Sequence, residues 1–233
     1  MLHKAFEESR CRSDPHGRSQ RTTPVPEPSL TRLDAPAPSA VVLLLHGGKE
    51  HSTHPVDGRS ASWRRMAALQ RAITPELHES GASTWLLRHR TRGWDGGVGK
   101  LEDARWALDE ARDTVGEVPV VLLGHSMGGR TAVHAAADRR VVGVVALAPW
   151  LPAGESVDAL RGKPLRAAHG RRDTITSYAA TRAYVDRANL AGADATLTGM
   201  GWAGHYLLCR IAAWNTFAAG QAGALAGGPD RHR

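Results

Sequence analysis

Pro119-Val120-Val121-Leu122-Leu123-Gly124-His125-Ser126-Met127-Gly128 is the stretch whose reading decides the fold. Its first half is apolar, partly β-branched, of strand length, and bounded by a proline and a glycine. The residues beyond it, Arg130 to Arg139 with their alanines, read as a helix. A serine at a sharp strand-to-helix turn, with glycine two positions away on either side, is the nucleophile-elbow pattern. The turn crowds the backbone, so a Cβ at Gly124 or Gly128 would strike the neighbouring strand or helix. It also lifts the Ser126 hydroxyl clear of the sheet and aims the first helical N–H groups at whatever lies beside it.

Outward from the elbow, short apolar segments alternate with helical ones. Strands are expected near 41–45, 83–89, 119–123, 141–147, 164–168 and 194–198, with helices near 60–79, 101–115, 128–139, 177–191 and 206–219. Such alternation predicts an α/β fold, a mostly parallel doubly wound sheet with helices on both faces. Functional side chains then gather at the C-terminal ends of the strands. Residues 1–38 are rich in Arg, Ser, Pro and Thr and read as a disordered or loosely draped arm, although Ser29 to Asp34 is able to supply one short edge strand. Residues 39–226 form the packed domain, and 227–233 read as a flexible tail.

Several further motifs make the chain, from about Val41 to Ala219, resemble the α/β-hydrolase superfamily. Val41 to Leu45 ends in His46-Gly47-Gly48, similar to that family's oxyanion loop. Pro164 to Ala168 leads into His169-Gly170-Arg171-Arg172-Asp173, similar to the strand and turn presenting its acid. Gly201-Trp202-Ala203-Gly204-His205 matches the loop presenting its histidine. The resemblance implies a triad of Ser126, Asp173 and His205 in the family's chain order. Many members insert a helical lid between the strands at 141–147 and 164–168. Here Ala148 to Lys163 leaves room for a loop and two helical turns at most, so a minimal lidless hydrolase with no cap domain is expected, like dienelactone hydrolases and small esterases.

The chemistry of the residues agrees. A serine hydroxyl needs a base within reach, and imidazole both takes the proton and returns it. Asp173 would fix the tautomer of His205 and stabilise its imidazolium. Asp158 and Glu155 are weaker choices, because Asp173 directly follows a strand and its turn. The oxyanion hole would use the N–H of Met127 and that of Gly48 or Lys49, each donor being worth on the order of 3 kcal/mol. Among the twelve histidines, His46 is expected to order the oxyanion loop, His125 and His169 to serve turn packing, and His51 and His54 to be solvated surface. Arg88 to Gly97 reads as a flexible solvated loop or as a basic, aromatic rim selecting anionic acyl groups. Trp94, Trp150 and Trp202 are candidates to line the substrate pocket.

Size and composition set the bounds. A chain of 233 residues with 42% hydrophobic residues suits one sizeable domain. No apolar run approaches the roughly 18 residues of a membrane span. Residues 1–21 lack the apolar core of a secretory signal. Two distant cysteines, Cys11 and Cys209, imply no disulfide framework, so a cytoplasmic location is expected. The +7 charge is spread along the chain without a basic stripe or a recognisable module, which argues against a nucleic-acid partner. The expectation is a serine hydrolase for a small, short-acyl ester or thioester, with no cofactor and no metal. The rival readings are a catalytically silent binding protein of the same fold and an amidase or peptidase.

Overall fold

The computed structural model describes residues 26–228. Its elements in chain order are β1 (Ser29–Leu33), β2 (Ala40–Leu45), α1 (Ala61–Glu79), β3 (Ala82–Arg88), α2 (Val98–Val115), β4 (Val120–His125), α3 (Met127–Ala135), β5 (Val141–Leu147), β6 (Pro164–His169), α4 (Tyr178–Leu190), β7 (Asp194–Gly199) and α5 (Ile211–Gly227). The seven strands make one sheet in the order β1-β3-β2-β4-β5-β6-β7. β1 runs antiparallel to β3, and every other pairing is parallel.

A parallel sheet carries helices on both faces, so its central strands are apolar on both sides. β2 illustrates the division: Val41, Leu43 and Leu45 enter one core with residues of α2, α3 and α4, while Ala40, Val42 and Leu44 enter the other with α1 and α5. This follows from the two-residue period of a strand. α1 presents Met66, Leu69, Ile73 and Leu77 at helical spacing. α5 presents Trp214 with Ala218, Ala222 and Ala226, and the small alanines let the helix lie close to the sheet. Each fully buried Leu contributes about 1.5–3 kcal/mol of apolar transfer.

Several boundaries differ from expectation, α3 for instance stopping at Ala135 rather than 139. The last helix begins at Ile211 rather than 206, because Leu207 (φ 57°) and Arg210 (φ 62°) adopt left-handed backbone that a right-handed helix excludes. It then runs to Gly227, past the expected end at 219 and into the segment read as a tail. The sheet takes in Ser29–Leu33, so the packed unit starts upstream of position 39. β1 is pinned by Arg32, which stacks 4.3 Å over the Trp85 ring and pairs with Glu110 at 2.7 Å. The rest of the expected arm, residues 1–25, and the end of the expected tail, 229–233, lie outside the described residues.

The sheet reverses its winding between β2 and β4, since β3 lies on one side of β2 while β5 to β7 continue beyond β4. In open α/β sheets, that switch point leaves a crevice at the C-terminal strand ends. The connection from β5 to β6 holds a single 3-10 turn, Asp158–Leu160, and no cap is built over the crevice.

Candidate active site

Ser126 follows β4 directly and precedes α3 with φ 57° and ψ −120°. For a non-glycine residue this backbone costs on the order of 1–3 kcal/mol. The surroundings hold it there. Ser126 N donates to Leu147 O at 3.1 Å, and Ser126 O accepts from the N–H groups of Gly129, Arg130 and Trp150. The flanking glycines are required by close approach: a Cβ on Gly124 would lie 2.2 Å from Gly128 O, and one on Gly128 would lie 2.0 Å from Leu45 O.

The loop ahead of α5 brings His205 to the serine, with His205 Nε2 3.0 Å from Ser126 Oγ. Its Nδ1 lies 2.8 Å from Asp173 Oδ2, on the turn after β6. Asp173 Oδ1 accepts from the N–H groups of Ile175 and Thr176, both at 2.8 Å. Oδ2 also accepts from Thr176 Oγ1 at 2.9 Å and faces His169 Nε2 at 3.1 Å. Burial alone would raise the pKa of this carboxyl, but the bonds from His169, His205 and the two backbone N–H groups outweigh it and hold the group well below the ordinary carboxylate range. An ionised carboxylate only accepts, so both histidines turn an N–H toward Asp173. His205 Nε2 is left as the acceptor for the Ser126 hydroxyl, and His169 Nδ1 as the acceptor for Thr181 Oγ1 at 2.8 Å.

His169, which sequence reading assigned to turn packing, contacts the Asp173 carboxylate. Its four-residue spacing from Asp173 was the available signal. His125 is likewise tied to the site: its Nε2 donates to the backbone carbonyl of His205 at 2.9 Å. Burial, followed by the charge of His205, lowers its pKa to about 3.

The loop after β2 lies across the crevice from α3. His46 Nδ1 donates to Gly47 O at 2.6 Å, and His46 Nε2 accepts the His89 N–H at 3.2 Å, so this buried ring does order the loop. Gly48 packs against Met127, since an added Cβ would lie 2.5 Å from the Met127 sulfur. The Lys49 N–H is committed to Arg92 O at 2.8 Å, which removes it from the pair of alternative donors.

The segment Arg88 to Gly97 is pinned, contrary to the expectation of a flexible solvated loop. Arg90 bonds buried Asp103 and pairs with Glu102 at 2.7 Å; Arg92 pairs with Asp57 at 3.2 Å. Arg90 and Arg92 are therefore already matched to carboxylates, and Arg88 donates to Ser29 Oγ at 2.9 Å. Trp94 is buried against Arg130 at 4.3 Å, and Trp150 covers the same guanidinium at 4.5 Å. That guanidinium pairs with Glu155 at 2.7 Å, and His134 also contacts Glu155, so Glu155 is occupied away from the serine. Trp202 is exposed and lines an open depression of about 580 Å³ together with Asp173 and Ile175. His51 is exposed within reach of Asp95, and no group of three metal-ligating side chains occurs among the described residues.

The fold agrees with the comparisons to known proteins. The sequence model of the alpha/beta hydrolase family matches residues 42–231, and the chain belongs to that family. Lipase LipV of Mycobacterium tuberculosis is 33% identical over 153 residues, which are 60% of this chain and 52% of that protein. The chain thus spans about half the length of that curated relative. Among solved structures, an alpha-beta serine hydrolase homologue from Coxiella burnetii superimposes with a TM-score of 0.67 at 20% identity, covering 85% of this chain and 93% of that one. XC6422 from Xanthomonas campestris, described as an a/b serine hydrolase without lid, gives 0.62 at 20% identity over 83% and 88%. No helix among the described residues is long and apolar enough to cross a membrane.

Proposed function

We propose that the protein is a serine hydrolase that cleaves a small, short-acyl carboxylic ester or thioester through an acyl-enzyme. The observation that carries this reading is the relay from Ser126 Oγ to His205 Nε2 at 3.0 Å and from His205 Nδ1 to Asp173 at 2.8 Å. The first distance suits proton transfer, and the second suits a charge-assisted hydrogen bond that orients the imidazole. Ser126 Oγ attacks the acyl carbon as its proton passes to His205 Nε2. The resulting imidazolium is stabilised by ionised Asp173. The carbonyl oxygen becomes an oxyanion facing the N–H groups of Met127 and Gly48. Collapse of this adduct expels the alcohol or thiol, which takes the proton from His205. A water, deprotonated by His205, then attacks the acyl-serine and releases the acid. No step needs a cofactor or a metal, and the reaction suits a cytoplasmic enzyme.

Transfer of the ester class draws on the name of the mycobacterial relative, a lipase. The lack of a cap limits how much acyl chain leaves water, at about 0.8 kcal/mol per methylene. Rates on p-nitrophenyl esters should therefore peak at short acyl groups, without a jump at the substrate's micellar threshold.

A fluorophosphonate probe tests the mechanism. It should label Ser126 in the parent and nothing in Ser126→Ala, whose turnover should vanish while its melting temperature holds. Labelling that persists at another serine would overturn the assignment. An unlabelled but folded parent would instead favour a silent binding protein.

A further inference from the structure

A groove lies beside the triad, between α1 and the segment that follows His205. Its volume is about 610 Å³, within the range of small-molecule sites, and its lining includes Trp63, Arg64, Arg65, Arg71, Leu208 and Ile211. Two features are unusual together. Trp63 Nε1 and Arg65 Nε are buried and have no hydrogen-bond acceptor among the described residues. Buried donors are otherwise nearly always satisfied, because an unmade bond costs the full desolvation of the group. Leu208 and Ile211 in turn stand 67% and 53% exposed, although leucine and isoleucine gain from leaving water.

The charge of the groove is one-sided. It contains three arginines and no aspartate or glutamate. None of the three guanidiniums makes a hydrogen bond or ion pair with a described residue. Arg65 is covered only by the Tyr206 ring, at 4.8 Å. Arg90, Arg92, Arg130 and Arg140, by contrast, are each paired with a carboxylate. The missing partner thus has an acceptor-bearing anionic head and an apolar tail that covers Leu208 and Ile211.

We infer that this groove binds a monomeric single-chain anionic amphiphile, a medium-chain carboxylate, with its head on Arg65 and Trp63 and its chain along Leu208 and Ile211. Tyr206 links the site to the catalytic centre, since its ring packs on Arg65 and lies 5.4 Å from the ring of His205. The bound anion therefore sits one side chain away from His205 without using Ser126.

Calorimetric titration of the full chain with laurate, below its micellar concentration, tests the proposal. Laurate should bind at one site. Arg65→Gln should weaken it by at least about tenfold, as loss of a charge-assisted bond predicts. Trp63→Phe should weaken it less, by roughly threefold to tenfold for a neutral bond. Leu208→Glu, at an exposed position where folding is not at stake, should abolish it. Octanoate should bind more weakly than laurate, by up to about fourfold per methylene lost. Dodecyltrimethylammonium and dodecanol should bind at least tenfold more weakly than laurate. Equal affinity in folded Arg65→Gln, or dodecanol binding as tightly as laurate, overturns the proposal. So does binding only to phosphatidylglycerol vesicles, which would mark a membrane surface, or a dimer that Leu208→Glu dissociates. Titration of enzyme carrying a small phosphonate on Ser126 separates the two sites. Retained laurate binding supports the groove, and its loss assigns the ligand to the catalytic pocket. Because Ser126→Ala should bind laurate normally, the result stands apart from the hydrolase reading.

Discussion

His169 Nε2 and Asp173 Oδ2 lie 3.1 Å apart across one turn, and the same carboxylate oxygen receives His205 Nδ1 at 2.8 Å. One carboxylate thus serves two buried imidazoles. His169 is locked by Thr181, so it holds Asp173 from the side away from Ser126. His169 is a positioning residue in this arrangement.

Replacing His169 should therefore act on the catalytic rate and not on substrate binding. His169→Ala should lower kcat by about tenfold to a hundredfold, as loss of an orienting partner predicts, with KM nearly unchanged. His169→Asn should recover part of it by restoring a donor. Asp173→Asn should lower kcat by up to about ten-thousandfold. Steady-state kinetics settles both, and a severe Asp158→Asn beside a mild Asp173→Asn would move the acid.

Two elbow glycines should be intolerant of a single methyl group while a third, elsewhere, is not. Gly124→Ala and Gly128→Ala place a Cβ within 2.2 Å and 2.0 Å of backbone atoms, so each should cost several kcal/mol or prevent folding. At Gly58 nothing lies within 4 Å of such a Cβ, so Gly58→Ala should stay within about 0.5 kcal/mol. Denaturant midpoints of the three variants test this.

Stability should fall on acidification well before the carboxylates titrate. His125 stays neutral in the folded protein down to about 3, whereas unfolded histidine takes a proton near 6.5. Between these values the unfolded state binds the extra proton, so stability decreases as pH falls. Between pH 6.5 and 4.5 the loss is up to about 2.7 kcal/mol. Asp173 acts in the same direction at lower pH: its depressed pKa stabilises the fold above the unfolded carboxylate value, and this contribution is lost as pH falls below that value. Guanidinium titrations at pH 7.5 and 4.5 should show a smaller difference in His125→Gln than in the parent.

The Arg130 clamp should be fragile from one side. Glu155→Ala leaves a guanidinium enclosed by Trp94 and Trp150 without its carboxylate, which should cost about 3–5 kcal/mol. The double variant Glu155→Ala, Arg130→Met should regain much of it. Equal melting temperatures for the single and double variants would contradict the clamp.

The elbow, the strand alternation and the order of Ser126, Asp173 and His205 were legible because each rests on local chemistry: a glycine pair, an apolar run, a turn after a strand. Lys49 was not resolved from Gly48, because its N–H is consumed by Arg92, a residue brought near only by tertiary bridging. The same long-range pairing turned Arg88 to Gly97 from an apparent loop into a fixed wall. The start of α5 was missed because Leu207 and Arg210 are ordinary residues forced into left-handed backbone by the packing around His205. Nothing in their identity announces that. Trp94 similarly looked like a pocket residue, although its ring is committed to Arg130.

The passage from Ala148 to Lys163 joins two adjacent strands with little more than one turn, Asp158–Leu160. Its first residues rest on the elbow through Trp150, and its end returns to the sheet at Lys163, whose ammonium is fastened to the carbonyls of Ala136 and Asp138. Both margins are thus anchored independently of what lies between them. An insertion that leaves Glu155 and the core residue Leu160 in place would therefore meet the sheet only at two fixed points, which makes this short span the place where a roof could be added over the crevice.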